Sequence, residues 1–227
     1  MSTYREIVFM VLDELKEHSD DAYYTEDHII YLANNWRAAL LEKKYPNNKK
    51  DISSENYIEI CMDLEEVDAI DGVPCLGKYL RTTKKIPSVL RVGSPKVYPV
   101  DYFSSGHVTY VGKERFTYAG SGNKWLSNII YATKGTDDHL YMKSGNPQFL
   151  YIEKARMYAV FSDPKEAYEM SCEDSQCDIL DKDFPLEANL IQTCIQMIVA
   201  ELINQRYAPQ DKANDAKDEL SEVSVKK

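Results

Sequence analysis

Apolar positions in the first 66 residues recur at spacings of three and four. Ile7, Val8, Val11, Leu12 and Leu15 form one stripe, the signature of an amphipathic helix. His18-Ser-Asp-Asp21 interrupts it. Thr25 then stands where an N-cap belongs, with Glu26 and Asp27 in the first turn, where the helix dipole favours acids. Ile29, Leu32, Ala33, Trp36 and Leu40 carry a second stripe to about Lys44, and Tyr45-Pro46-Asn47-Asn48 stops it. Tyr57, Ile60, Cys61 and Leu64 keep helical spacing and predict a third helix after Ser53 or Ser54.

The period then changes. All nine glycines fall between Gly72 and Gly145, so turns concentrate in the middle of the chain. Stretches 108–111 and 116–118 are rich in β-branched and aromatic residues, with Gly112 and Gly120-Ser-Gly-Asn123 as turn signals beside them. Stretches 129–133, 140–143 and 149–161 add further strands, separated by Lys134-Gly-Thr-Asp-Asp138 and Ser144-Gly-Asn-Pro147. Short strands with regular punctuation predict an antiparallel sandwich or small barrel, not a parallel βαβ sheet.

Helical spacing returns after Phe184-Pro185 and runs over 186–207, with Pro209 beyond it. Leu190, Ile191, Cys194, Ile195, Ile198, Val199, Leu202 and Ile203 give a face broad enough to require burial, against the amino-terminal helices or another subunit. The expected fold class is α+β. Residues 1–66 and 184–208 would form a helical bundle with Trp36 and the 191–203 face in its core. Residues 67–183 would form an inserted β-rich lobe, and 209–227 an extended tail. That tail holds five acids and four bases from Gln210 onward, which predicts mobility in isolation.

Composition narrows the function. The 227 residues are 44% hydrophobic and 28% charged, ordinary values for a globular protein. A net charge of −10 argues against general binding to a phosphate backbone. No run is long and apolar enough for a membrane span, since Gln192, Gln196 and Glu201 interrupt the best one. The amino terminus lacks a signal peptide's apolar segment. The chain is therefore expected to begin near Met1 and to work inside a cell or in a particle assembled there. The five cysteines (61, 75, 172, 177 and 194) are an odd number and read as reduced thiols. Tyrosine occurs 17 times, which fits protein interfaces or simply good strand formers.

Candidate chemistry is sparse. His18, His28, His107 and His139 are dispersed, and no Cys-x-x-Cys, His-Glu-x-x-His or Gly-x-Ser-x-Gly occurs. Cys172 and Cys177 have the wrong spacing for a zinc knuckle. Glu173, Asp174, Asp178, Asp181 and Asp183 could hold calcium but lack the glycine and alternation of an EF-hand, so a solvated acidic loop is favoured. Asp63, Glu65, Glu66 and Asp68 read as one exposed helix end. Lys78, Arg81, Lys84, Lys85 and Arg91 form the concentrated basic stretch, loop-like, open either to DNA or an acidic neighbour or simply to solvent. No catalytic, cofactor-binding or metal-ligating residue is assigned, and no enzymatic activity is expected. Two competing readings are a hydrolase built on carboxylates around Asp174 and Asp181, and a binding module using an exposed Trp125 and neighbouring tyrosines to meet a receptor or carbohydrate.

Several segments carry a family resemblance. Tyr4-Arg-Glu-Ile-Val-Phe-Met-Val-Leu-Asp-Glu-Leu15, Asp-Asp-Ala-Tyr-Tyr-Thr-Glu-Asp-His28 and Gly93-Ser-Pro-Lys-Val-Tyr-Pro-Val-Asp-Tyr102 are among them. Asn146-Pro-Gln-Phe-Leu-Tyr151, Cys177-Asp-Ile-Leu-Asp181 and Arg206-Tyr-Ala-Pro-Gln-Asp-Lys-Ala-Asn-Asp215 are the others. With these, nearly the whole chain resembles a virion structural protein of crAss-like bacteriophages. The resemblance implies a ring protein of the neck or tail, near the portal, similar to head-to-tail adaptors that form twelve-membered rings. Its implied partners are copies of itself, the portal or adjacent ring and tail proteins, and genomic DNA passing through without specific binding, with no membrane. Its implied location is the virion, assembled in the bacterial host's cytoplasm. An acidic channel wall would let DNA slide without sticking.

Overall fold

The computed structural model describes residues 2–18, 24–46, 52–71, 73–100, 108–120, 124–172 and 178–204. The first two predicted helices are present as α1 (Tyr4–His18) and α2 (Glu26–Lys44). Thr25 caps α2, its hydroxyl accepting from the His28 backbone N–H at 3.4 Å, which satisfies one of the donors orphaned at a helix start. A third long helix, α5 (Ala188–Asn204), packs against both. The sequence stripe over 186–207 overlaps it, but the helix begins two residues later, and residues 205–207 lie outside the described set. One core joins Ile7, Val8 and Val11 of α1, Ile29, Ala33 and Leu41 of α2, and Ile195, Ile198 and Leu202 of α5. Trp36 packs on this core partly buried. Tyr4 meets Phe184 edge-on at 5.0 Å between ring centroids.

The other half of the fold is a seven-stranded sheet. Its strands are β1 (Ile58–Ile70), β2 (Val73–Thr82), β3 (Lys96–Pro99), β4 (Thr109–Tyr110), β5 (Ile130–Lys134), β6 (Leu140–Ser144) and β7 (Lys154–Ala159). They follow the order β3-β7-β1-β2-β6-β5-β4. Neighbours are antiparallel except the short β4/β5 pair. The two edge strands meet through one bridge, Val108 N–H donating to the Val97 carbonyl at 3.2 Å. The sheet is thus a nearly closed barrel, which leaves little edge for pairing with other chains. Inward-facing Ile60, Met62, Leu80, Ala132, Leu140, Met142 and Met157 fill it. Helices α3 (Lys113–Phe116) and α4 (Pro164–Glu169) decorate it, α4 lying against β1 with Asp163 as its cap.

The mixed α+β class therefore holds, and four local expectations are corrected. Residues 58–64 are strand, not a third helix: Ile58, Ile60 and Met62 alternate inward on β1, and the helical spacing of residues 57, 60, 61 and 64 was a coincidence of a strand with mixed faces. Residues 116–118 close α3 and its turn, where Phe116 is pinned by burial with Tyr131 and Tyr141. The 149–161 run divides, because Asn146 and Pro147 start a 3-10 turn over Pro147–Tyr151 before β7. Cys61 and Cys172 are disulfide-bonded, whereas Cys194 is free and buried. Beside the disulfide, Cys61 N–H donates to the Met170 carbonyl at 2.8 Å, so the end of α4 lies against β1. The side chain of Cys75 and all of Cys177 lie outside the described residues, as does the 209–227 tail.

Candidate functional site

The acidic and basic stretches turn out to face each other. Asp63, Glu65 and Glu66 lie on β1, not at a helix end. Lys78 and Arg81 lie on the adjacent strand β2, not in a loop, whereas Lys84, Lys85 and Arg91 follow it outside any strand, as expected. Glu65 accepts from Arg81, Glu66 pairs with Lys78, and Asp63 lies 3.7 Å from Lys154 of β7. Cross-strand pairing of this kind offsets Glu65 and Glu66 against Arg81 and Lys78.

Of the second acidic cluster, Asp178, Asp181 and Asp183 are described. Glu173 and Asp174 lie outside the described residues. Asp178 caps the turn Ile179–Asp181, and Asp181 is exposed and bound to Arg5 at 2.9 Å. His139 Nδ1 sits 2.7 Å from the Thr82 carbonyl in the barrel wall. Among the described residues no three His, Cys, Asp or Glu side chains are placed to hold a metal ion. No described helix is long and apolar enough to cross a membrane.

A polar junction that the sequence did not announce lies between the helices and the barrel. Arg37 of α2 is 0% exposed. Its Nε donates to the Pro185 carbonyl at 2.6 Å, Nη1 to Phe161 at 2.7 Å and Nη2 to Asn56 at 3.1 Å. These acceptors precede α5, follow β7 and precede β1, so one guanidinium ties three segments. Burial lowers its pKa to about 10, against the opposing pull of Tyr4, Tyr168, Cys194 and Asp163, which leaves it charged at neutral pH. Beside it, Tyr4 donates to Asn34 at 2.8 Å and Asn34 donates to Asp163 at 3.1 Å. On the other flank Glu187 accepts from Lys44, Tyr45 and Asn56. Burial alone would raise the Glu187 pKa, but these three donors outweigh it and hold the carboxyl below its ordinary value. The available signal was positional: Arg37 follows Ala33 by four residues and so falls on the apolar stripe of α2.

Two adjoining clefts lie between α2 and α4. One, of about 420 Å³, is lined by Asp27, Lys165, Tyr168, Glu169, Asp178, Ile179 and Lys182. The other, of about 410 Å³, runs past Asp27, Tyr31, Asn34 and Asp163. Both clefts carry carboxylates together with lysine, and the residues that line them include no histidine or cysteine.

The surface is more informative. Trp125 is 91% exposed and Tyr118 78%, with Leu126 beside Trp125. On the helical side, Phe9 is 54% and Met10 44% exposed. Large apolar side chains grouped in this way mark contact surfaces better than scattered ones do. Trp125 is thus exposed, as the binding-module reading needs.

Comparison with known proteins agrees with an assembly role. The family described as phage tail ring protein 2 matches residues 6–220. Ring protein 2 of Bacteroides phage crAss001 is 47% identical over 225 residues, covering 97% of this chain and 99% of the relative. A family match of that extent, together with a relative of nearly equal length, places the chain: it belongs to the phage tail ring protein 2 family.

Proposed function

We propose that this chain is a non-enzymatic structural subunit that closes with copies of itself into a twelve-membered ring in the phage neck or tail. It docks near the portal, directly or through an adjacent ring, and its ring helps to form the channel through which genomic DNA passes. The observation that carries this reading is the family match across nearly the whole chain. Two physical features support it. The chain presents separate exposed apolar groups on the helical and barrel sides, as head-to-tail ring contacts require. Its net charge of −10 opposes sticking to DNA phosphates. The test is mass photometry with negative-stain microscopy on the full chain, alone and with the portal and neighbouring tail proteins. Closed rings of about a dozen copies are expected. A chain that stays monomeric with all of those proteins present overturns the reading.

The exposure of Trp125 favours one second reading, an outer-tail module that meets a receptor or carbohydrate through the barrel. Glycan binding by the isolated chain, lost in Trp125→Ala, would establish it, and a connector subunit shows none.

A further inference from the structure

We propose that the contact between ring neighbours joins two different faces of the chain, the surface around Trp125 of one copy docking on the α1 surface around Phe9 and Met10 of the next. This rests on the ring reading above and names its interface. Trp125, Tyr118 and Leu126 stand on the segment between α3 and β5. That segment is anchored from beneath. Phe116 is buried against Tyr131 and Tyr141, Lys143 donates to the Thr117 carbonyl at 2.9 Å, and Ser144 Oγ donates to Ser127 and Ile129 at 2.8 and 3.0 Å. Tyr118 and Trp125–Leu126 thus stand next to held positions, Thr117 on one side and Ser127 on the other, which lowers the entropy cost of docking. Burying a tryptophan of this exposure contributes more than any other single side chain is expected to.

Charge selects the partner face. Glu6 and Asp13 lie one helical turn from Phe9 and Met10, and Glu14 lies four residues beyond Met10, so acids flank the apolar pair. Arg5, which shares this region, is bound by Asp181, and Asp13 shares Lys16, leaving Glu6 and Glu14 as the main charge. The described charges at the α3 end of this segment are net basic: Arg115 is exposed and Lys143, bound to Thr117, is half-buried, with Glu114 the opposing acid and Lys113 held by Asp71. Basic against acidic attracts, whereas two copies of either face would set like charges together. Unlike faces give a head-to-tail contact, the kind that closes a ring.

The experiment mixes equal amounts of unlabelled and ¹⁵N-labelled full-length protein under conditions where mass photometry scores assembly. A zero-length carbodiimide then couples lysines to contacting carboxylates, and mass spectrometry identifies light–heavy peptide pairs. Pairs joining Lys113 or Lys143 to Glu6, Asp13 or Glu14 are expected. In Trp125→Ala their yield should fall at least tenfold, roughly the effect of removing an interface hot spot, while the melting temperature stays unchanged. Rings that form without these pairs, or in Trp125→Ala as readily as in the parent, overturn the interface and leave the ring reading standing. Absence of both rings and light–heavy pairs, with portal and tail proteins present, overturns both.

Discussion

Replacing Arg37 by methionine removes three donors from the junction while keeping an apolar stem of similar length. Hydrogen bonds from a charged group contribute about 1.5–3 kcal/mol each, so the carbonyls of Asn56, Phe161 and Pro185 together stand to lose several. Against that, the variant no longer holds a guanidinium in a site without direct carboxylate contact, and charge burial is itself costly. Each buried carbonyl left unsatisfied costs about 1–3 kcal/mol, so after relief of the charge's desolvation a net loss of about 3–5 kcal/mol is expected. For a chain of this size each kcal/mol shifts Tm by about 2–4 °C, so a drop of about 6–20 °C is expected. Urea unfolding and calorimetry of the full chain measure it, with Arg37→Lys as the control. Lysine keeps the charge but cannot span three carbonyls in one plane, so it should fall between parent and Met. A loss below about 1 kcal/mol in Arg37→Met would refute the reasoning, because it would mean that relief of desolvation cancels the lost bonds.

Other perturbations follow from single contacts. Cys172→Ser should lower the unfolding free energy without reductant, by up to about 4–5 kcal/mol for a loop of this length, and should match the parent once dithiothreitol is added; the separation of Cys61 and Cys172 is 111 residues. Thr25→Ala removes the α2 cap and should cost about 1 kcal/mol in urea unfolding. The folded-state pKa of Glu187 is depressed, so its contribution is present above the unfolded carboxylate range and is lost as pH falls through the lower folded value. Glu187→Gln should therefore flatten the acid limb of a stability–pH curve measured by denaturant midpoint. An unchanged limb would assign acid sensitivity to other carboxylates.

The seventeen tyrosines illustrate why composition left two readings open. Tyr4 and Tyr141 are fully buried, each spending its hydroxyl on an internal acceptor. Tyr31, Tyr118 and Tyr151 are exposed. One residue type serves both core and surface, and only the fold sorts them.

What the sequence by itself determined was local. The stripes of α1, α2 and α5 and the cap at Thr25 were legible because helix periodicity and capping depend on residues within a few positions of one another. The strands β5 and β6 were legible for the same reason, bounded by their turns. What tertiary structure decided was pairing over long separations. Whether residues 57–64 ran as helix or strand was settled by the partners β2 and β7, since a short apolar run satisfies either period. Glu65 and Glu66 met Arg81 and Lys78 only because a hairpin folded one run onto the other. Cys61 reached Cys172, and Arg37 reached three carbonyls, across 111, 19, 124 and 148 residues. Such contacts leave no period in the sequence, because they depend on how the layers pack and not on what neighbours a residue along the chain.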